Sequence, residues 1–167
     1  MDALEAIRTR RSIRSYTGDP VPRGDLETII DAGRMAATGY NRQPWDFVVV
    51  TEPDTIATLA AATSWLTQAG AVVAVVVDTT SKFWLEDASA AVQNMMVAAT
   101  ALGYGSCWIE GQTGAHEPAF KTLLRVPAEK RLLTLVAVGV PAAHPEPQKR
   151  ALNDVLHWET YQTRSPA

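Results

Sequence analysis

Ala36-Ala37-Thr38-Gly39-Tyr40-Asn41-Arg42-Gln43-Pro44-Trp45-Asp46-Phe47-Val48-Val49-Val50 changes character halfway along. Up to Pro44 it has loop chemistry. Gly39 and Asn41 tolerate positive φ, and Pro44 disfavours helical backbone before it, predicting an extended Gln43. Phe47 to Val50 is aromatic and β-branched, long enough for one buried strand. A polar loop feeding a buried strand can present amides and backbone groups to a ligand. The same residues also describe an ordinary helix-to-strand connection, so the choice between the two depends on the rest of the chain.

Before this stretch, Asp2 caps a first helix with Leu4 and Ile7 toward the core. That helix runs into a basic cluster, Arg8 to Arg14. After a loop at Thr17 to Pro22, a second helix puts Leu26, Ile29, Ile30 and Gly33 on one face and ends near Met35. Beyond the opening stretch, Pro53 and Asp54 start a helix with Ile56, Leu59 and Ala60 inward. Ala71 to Val77 reads as a buried strand. Glu86 to Leu102 is the longest helix, with a stripe of Val92, Met95, Met96 and Ala99. Ala88, Ala91, Ala98 and Ala101 keep its other faces small and apolar, which predicts burial on more than one side, one of them against a partner subunit. Gly103-Tyr104-Gly105 closes that helix. A strand at Ser106 to Ile109 leads into a loop at Glu110 to Gly114. A helix follows with Pro118 in its first turn and Phe120, Leu123 and Leu124 inward. Leu132 to Val138 is the last strand. The tail from Ala142 carries Val155, Leu156, Trp158 and Tyr161 and is expected to pack on a second copy.

The 167 residues suit one domain with a core of its own. A hydrophobic share of 47% and a charged share of 20% describe a globular chain. A net charge of -3 gives no general attraction to nucleic acid or to an acidic membrane. Cys107 is the only cysteine, which excludes an intrachain disulfide and a thiolate zinc cluster. The N-terminus lacks a basic segment followed by an apolar run, and Ala71 to Val77 is too short to span a bilayer. A cytoplasmic protein is expected.

Familiar catalytic motifs are missing. Gly103-Tyr104-Gly105 follows a helix and precedes a strand, the reverse of a dinucleotide fingerprint. There is no phosphate loop ending in Gly-Lys-Ser/Thr and no Gly-x-Ser-x-Gly elbow. His116, His144 and His157 have no ligand spacing. Cys107 sits in an apolar strand, as an inert core thiol would. What remains is anion chemistry. Arg10, Arg11, Ser12 and Arg14 near the first helix, and Lys149-Arg150 in the tail, could converge on a phosphate dianion. Each cluster could equally be solvated surface, and Glu86 or Asp87 could pair with one of the cations.

Arg10-Arg11-Ser12-Ile13-Arg14 followed by Thr38-Gly39-Tyr40-Asn41-Arg42-Gln43-Pro44-Trp45 resembles the paired signature of the nitroreductase-like flavoproteins. Ala88 to Met95 and Ala99 to Ile109 resemble that family's central helix and glycine-rich strand. Val126-Pro127, Val138-Gly139-Val140-Pro141 and the basic tail fit its C-terminal part. The resemblance implies an α+β fold, an αβα sandwich with a mainly antiparallel central sheet. It implies a homodimer whose 142–167 tail is swapped onto the partner, with FMN at each of two interface sites. By position, Arg10, Arg11 and Ser12, with Arg14 nearby, hold the FMN phosphate and ribityl chain. Arg150, helped by Lys149, meets the same phosphate. Thr38, Gly39, Asn41 and Gln43 reach the flavin from the other subunit, and Ile109, Glu110 and Gly111 lie along the isoalloxazine. Two positions depart from the common pattern, Ala37-Thr38 in place of Pro-Ser and Gln148 in place of a lysine.

The implied activity is an FMN-dependent NAD(P)H oxidoreductase that passes hydride through flavin N5 to a nitroaromatic, a quinone or another small acceptor by ping-pong transfer. NADH or NADPH serves as reductant, and no side-chain catalyst is required because the cofactor does the chemistry. Other flavin reactions in the family (dehalogenation, dehydrogenation, flavin breakdown) and a flavin-binding protein with little turnover remain open alternatives.

Overall fold

The computed structural model describes residues 1–161. Its elements in chain order are α1 (Ala3–Thr9), α2 (Arg23–Arg34), β1 (Trp45–Val50), α3 (Pro53–Leu59), β2 (Ala71–Val77), α4 (Trp84–Ala101), β3 (Gly105–Ile109), α5 (Gly111–Leu123) and β4 (Arg131–Gly139). Short 3-10 turns cover Gly39–Asn41, Ser64–Gln68 and Leu152–Asp154. The strands form one antiparallel sheet in the order β1-β2-β4-β3. The fold is α+β, with helices on both faces of that sheet.

Strand β2 shows why the sheet must be covered twice. All seven of its residues are buried, and alternation sends them to opposite faces. Val72 and Ala74 pack with Ile56, Leu59, Leu66 and Phe120, from α3, the 3-10 turn after it and α5. Ala71, Val73, Val75 and Val77 pack with Leu26, Ile29, Val92 and Met95 of α2 and α4. Strand β4 serves both layers through a register shift opposite Val75 and Val76. The shift puts Leu132 and Leu135, three residues apart, into the same layer. Helix α2 lies close on α4 because Gly33 has no side chain: a Cβ there would stand 2.6 Å from Met95 Cγ.

Helix α4 buries one broad face, Ala88, Ala91, Val92, Met95, Met96 and Ala99, at the spacing of a single helical stripe, while Ala98 and Ala101, expected on further buried faces, are half-buried. Its end is a Schellman turn. Gly103 has φ +89, its N–H donates to Thr100 O at 3.0 Å, and the Tyr104 N–H donates to Ala99 O at 2.8 Å.

Five expectations change. Phe47 to Val50 does form a strand, but at the edge of the sheet and not buried along its length: Val49 is 40% exposed and Phe47 and Val48 are half-buried. Asp2 does cap α1, accepting from the Glu5 N–H at 2.9 Å, but Leu4 and Ile7 are 64% and 55% exposed and Ala6 is the buried residue. The helix is short, and its small face is the one turned toward the core. Gly111 to Gly114 is the first turn of α5, closed by Thr113 N to Glu110 O at 3.0 Å, not a loop. Pro118 therefore sits inside α5, and only Phe120 of the three expected apolar residues is fully buried. Gln43 has φ +49, not extended backbone. It is folded back onto Asn41, whose side-chain oxygen accepts from the Gln43 amide at 3.2 Å.

Candidate functional site

Two of the polar groups singled out in the sequence lie at the two ends of α4. At the end beyond its C-terminus, the chain leaves α1 through Arg10 and runs beside the start of β3. Ser12 bridges to Ser106 in parallel fashion, and the Ile13 N–H donates to Ser106 O at 2.9 Å. This approach requires Gly105, since a Cβ there would meet Ile13 Cγ1 at 2.7 Å. Tyr16 anchors the segment by donating to Ile13 O at 2.7 Å, and burial pushes its phenol well above the ordinary range. The root of the tail joins the same seam, with the Ala142 N–H donating to Ser15 O at 2.9 Å.

The two arginines here differ. Arg11 Nη1 donates to Arg8 O at 2.7 Å and Arg10 O at 2.9 Å, so one nitrogen of its fork is spent on the end of α1. Arg10 Nη1 is buried with no acceptor among the described residues, and Ser106 Oγ is in the same state. A buried cationic donor without a partner is costly in a folded protein. An anion between Arg10 and Ser12 would complete it. Arg14 is exposed. Burial pushes the Cys107 thiol up, against the opposing charges of Arg14 and Arg10, which fits an inert core thiol.

At the N-terminal end of α4 lies the loop of the opening stretch. The Gly39 N–H donates to Asp87 Oδ1 at 2.9 Å across 48 residues. Asp87 thus pairs with backbone rather than with an arginine, correcting the sequence reading. Tyr40 and Asn41 both have φ +54. Gln43 N–H reaches Thr38 Oγ1 at 3.4 Å. Thr38, Gly39, Asn41 and Gln43 are thereby brought into one compact turn. Gly39 itself does not use positive φ, so its role is space: a Cβ would lie 2.3 Å from Phe83 Cδ2.

Strand β3 connects the arginine end to a third group. Ile109 is buried, and its carbonyl accepts from the hydroxyls of Thr113 and Thr134. Glu110 and Gly111 follow as the entry to α5, where the first N–H groups have no acceptor within the helix. From Ser106 to Glu110 the strand advances about 13 Å, at ~3.3 Å per residue. Lys149 and Arg150 lie in the exposed tail, where Arg150 Nη2 donates to Asp154 O at 2.6 Å. They are not drawn to Arg10 by any hydrogen bond among the described residues. Asp87 and Ser106 carried no sequence signal for this site. The first reads as an acid in a helix's first turn and the second as an ordinary strand residue.

A cavity of about 210 Å³ beside Arg11, lined by Thr9, Ile13, Thr100, Tyr104 and His144 among others, opens at the arginine end. A larger groove of about 740 Å³ runs between α2 and the outer edge of β1. It contains none of the residues above, and its charges are already paired as Arg23–Glu27 and Arg34–Asp31. The chemistry therefore points to the arginine end rather than to the larger volume. Among the described residues, no three His, Cys, Asp or Glu side chains cluster to hold a metal, and no helix is long and apolar enough to cross a membrane.

A four-stranded antiparallel sheet between helix layers, with an arginine–serine seam and an amide loop at opposite ends of its central helix, is a nitroreductase-type fold. The nitroreductase family model matches residues 7–83 and 78–140, and the chain belongs to that family of oxidoreductases. A putative NADH dehydrogenase/NAD(P)H nitroreductase of Archaeoglobus fulgidus is 34% identical over 150 residues, covering 84% of this chain and 86% of the relative. The crystal structure of a protein of the same description from Bacteroides thetaiotaomicron superposes with a TM-score of 0.87 at 29% identity, covering 95% of this chain and 98% of that one. An FMN-dependent nitroreductase from Clostridium difficile has the same fold, with a TM-score of 0.85 at 22% identity over 95% of this chain and 99% of its own.

Proposed function

We propose that the protein is an FMN-dependent NAD(P)H oxidoreductase of the nitroreductase or quinone-reductase type, working in the cytoplasm as a homodimer with a flavin at each interface. The observation that carries the cofactor is Arg10 Nη1, a buried guanidinium nitrogen without an acceptor among the described residues, two positions before Ser12 in the same segment. The FMN phosphate would complete it. Arg11 and Arg14 add positive charge on the same segment, and Lys149 and Arg150 add theirs from the tail. Ile109 ends β3 on the far side from that end, and Glu110 and Gly111 open α5 directly after it. The first N–H groups of α5 would donate to the flavin ring, where the positive end of the helix favours the charge of the reduced form.

The loop of Thr38, Gly39, Asn41 and Gln43 supports the second subunit. It is tied to the N-terminal turn of α4, whereas Arg10 and Ser12 lie past its C-terminus. An 18-residue helix separates them by roughly 27 Å at 1.5 Å per residue. One chain therefore supplies one half of each site and its partner the other. We assign the whole chain to one domain, with the 142–167 tail packing on the partner; residues 162–167 of that tail lie outside the described residues.

Bound there, FMN would supply the redox chemistry between NADH or NADPH and a nitroaromatic, a quinone or another small acceptor. The side chains bind and orient it, which accounts for a site without an acid–base pair. The test is the visible spectrum of the purified protein, followed by anaerobic NADH or NADPH and then steady-state kinetics. Flavin bands that bleach with a nucleotide, and parallel double-reciprocal lines, are expected. Intersecting lines would overturn the ping-pong order. Absence of flavin bands after FMN is supplied would overturn the cofactor.

A further inference from the structure

Asp87 stands in the first turn of α4, where an acid ordinarily caps its own helix or faces the helix dipole from solvent. It does neither. The N-cap position is Phe83, with no side-chain cap hydrogen bond. Asp87 is only 4% exposed. Its Oδ1 accepts the Gly39 N–H, and its Oδ2 is buried without a partner among the described residues. A buried carboxylate using one oxygen of two is a poor element of stability, since the idle oxygen has lost its water for nothing. The contact it does make is made with one residue of the loop 48 positions earlier.

The loop meets α4 and its N-cap at this point. Phe83 lies under Gly39 closely enough to exclude any side chain there. Tyr40, the next residue, rests its ring on Phe83 at 6.3 Å and already has φ +54. The Asn41 and Arg42 N–H groups then close back on Thr38 O and Gly39 O at 3.1 and 3.2 Å. The turn that presents Asn41 and Gln43 thus begins at Gly39, held at its backbone by Asp87 and met at its side by Phe83, the N-cap of α4.

We infer that Asp87 is a positioning residue for the flavin: through the Gly39 N–H, its buried carboxylate fixes the turn from Thr38 to Gln43, and so sets FMN affinity without touching the cofactor. This rests on the loop's role in the proposed function. The experiment is titration of apo-protein with FMN, followed by flavin fluorescence, for wild type, Asp87→Asn and Asp87→Ala, with thermal melts of each apo-protein. Asp87→Ala, which removes the acceptor, should weaken FMN about tenfold or more, the range of a charge-assisted hydrogen bond. Asp87→Asn keeps an oxygen for Gly39 and should stay within about threefold of wild type.

Equal FMN affinity of wild type and Asp87→Ala overturns the inference, as does Asp87→Asn being as weak as Asp87→Ala. If Asp87→Ala does not fold, Asp87→Glu keeps the charge and displaces the acceptor by one methylene. Weaker FMN in Asp87→Glu supports the inference and unchanged FMN overturns it. A wild type that binds no FMN refutes the proposed function itself, which separates the two failures.

Discussion

Arg10 and Arg11 are adjacent, carry the same charge and have different tasks. Arg11 holds the carbonyls of Arg8 and Arg10, whereas Arg10 keeps a buried nitrogen without an acceptor among the described residues. Replacing Arg10 by alanine should therefore cost FMN about 1.5–3 kcal/mol, or roughly 10- to 150-fold in Kd. Arg23→Ala, at an exposed ion pair with Glu27, should leave it unchanged. Fluorescence titration of the apo-proteins decides, and equal affinities would remove the arginine from the site. The sequence shows both arginines as a basic cluster but cannot separate them. The difference depends on where α1 stops and which carbonyls it leaves open. Asp87 illustrates the limit more strongly, because its partner is 48 residues away and is a backbone group that no side-chain pattern reports.

At the scale of elements, α5 and β4 are fastened by Glu117. Its carboxylate accepts from Arg131 Nε at 2.8 Å and from the Leu132 N–H at 3.0 Å. Burial pushes this acid up, but the Arg131 hydrogen bond and charge, with the Leu132 N–H, outweigh it and hold the acid below the ordinary carboxylate range. A depressed folded pKa gives stability that is present above the unfolded value, about 4.3, and is lost as pH falls through the folded one. Glu117→Gln should destabilise by about 1–2 kcal/mol at pH 7, with the gap to wild type closing as pH is taken below about 4. Thermal melts across that range check it, and a gap independent of pH would refute it. The main elements were legible because periodicity decides them. Strand β2 is a continuous β-branched run, and α4 is apolar around much of its circumference. The entry to α5 was not. Gly111, Gly114 and Pro118 are loop residues by propensity, and the helix there is supported by Thr113 bonding back to the Ile109 carbonyl. Likewise the apolar spacing of Leu4 and Ile7 predicts a face to be covered, but not whether the covering comes from the same chain.

For the whole molecule, that face and the tail raise one question together. Leu4, Ile7, Leu152, Val155 and Leu156 are exposed, and Trp158 is 72% exposed. A dimer that buries them should sediment as a single species of twice the chain mass at micromolar concentration, and truncation after residue 150 should shift it toward monomer and lower its flavin content. A stable full-length monomer that retains FMN would contradict a site built from two chains. The loop from Thr38 to Gln43 has a consequence of its own. Tyr40, Asn41 and Gln43 all occupy left-handed backbone, a conformation that costs roughly 1–2 kcal/mol per ordinary residue. A free chain would seldom visit three such residues at once, so the shape is imposed when α4 and β1 pack. The ordering entropy that a loose loop surrenders on meeting its ligand is therefore settled during folding, and the site behaves as a preorganised receptor rather than one moulded by what it binds.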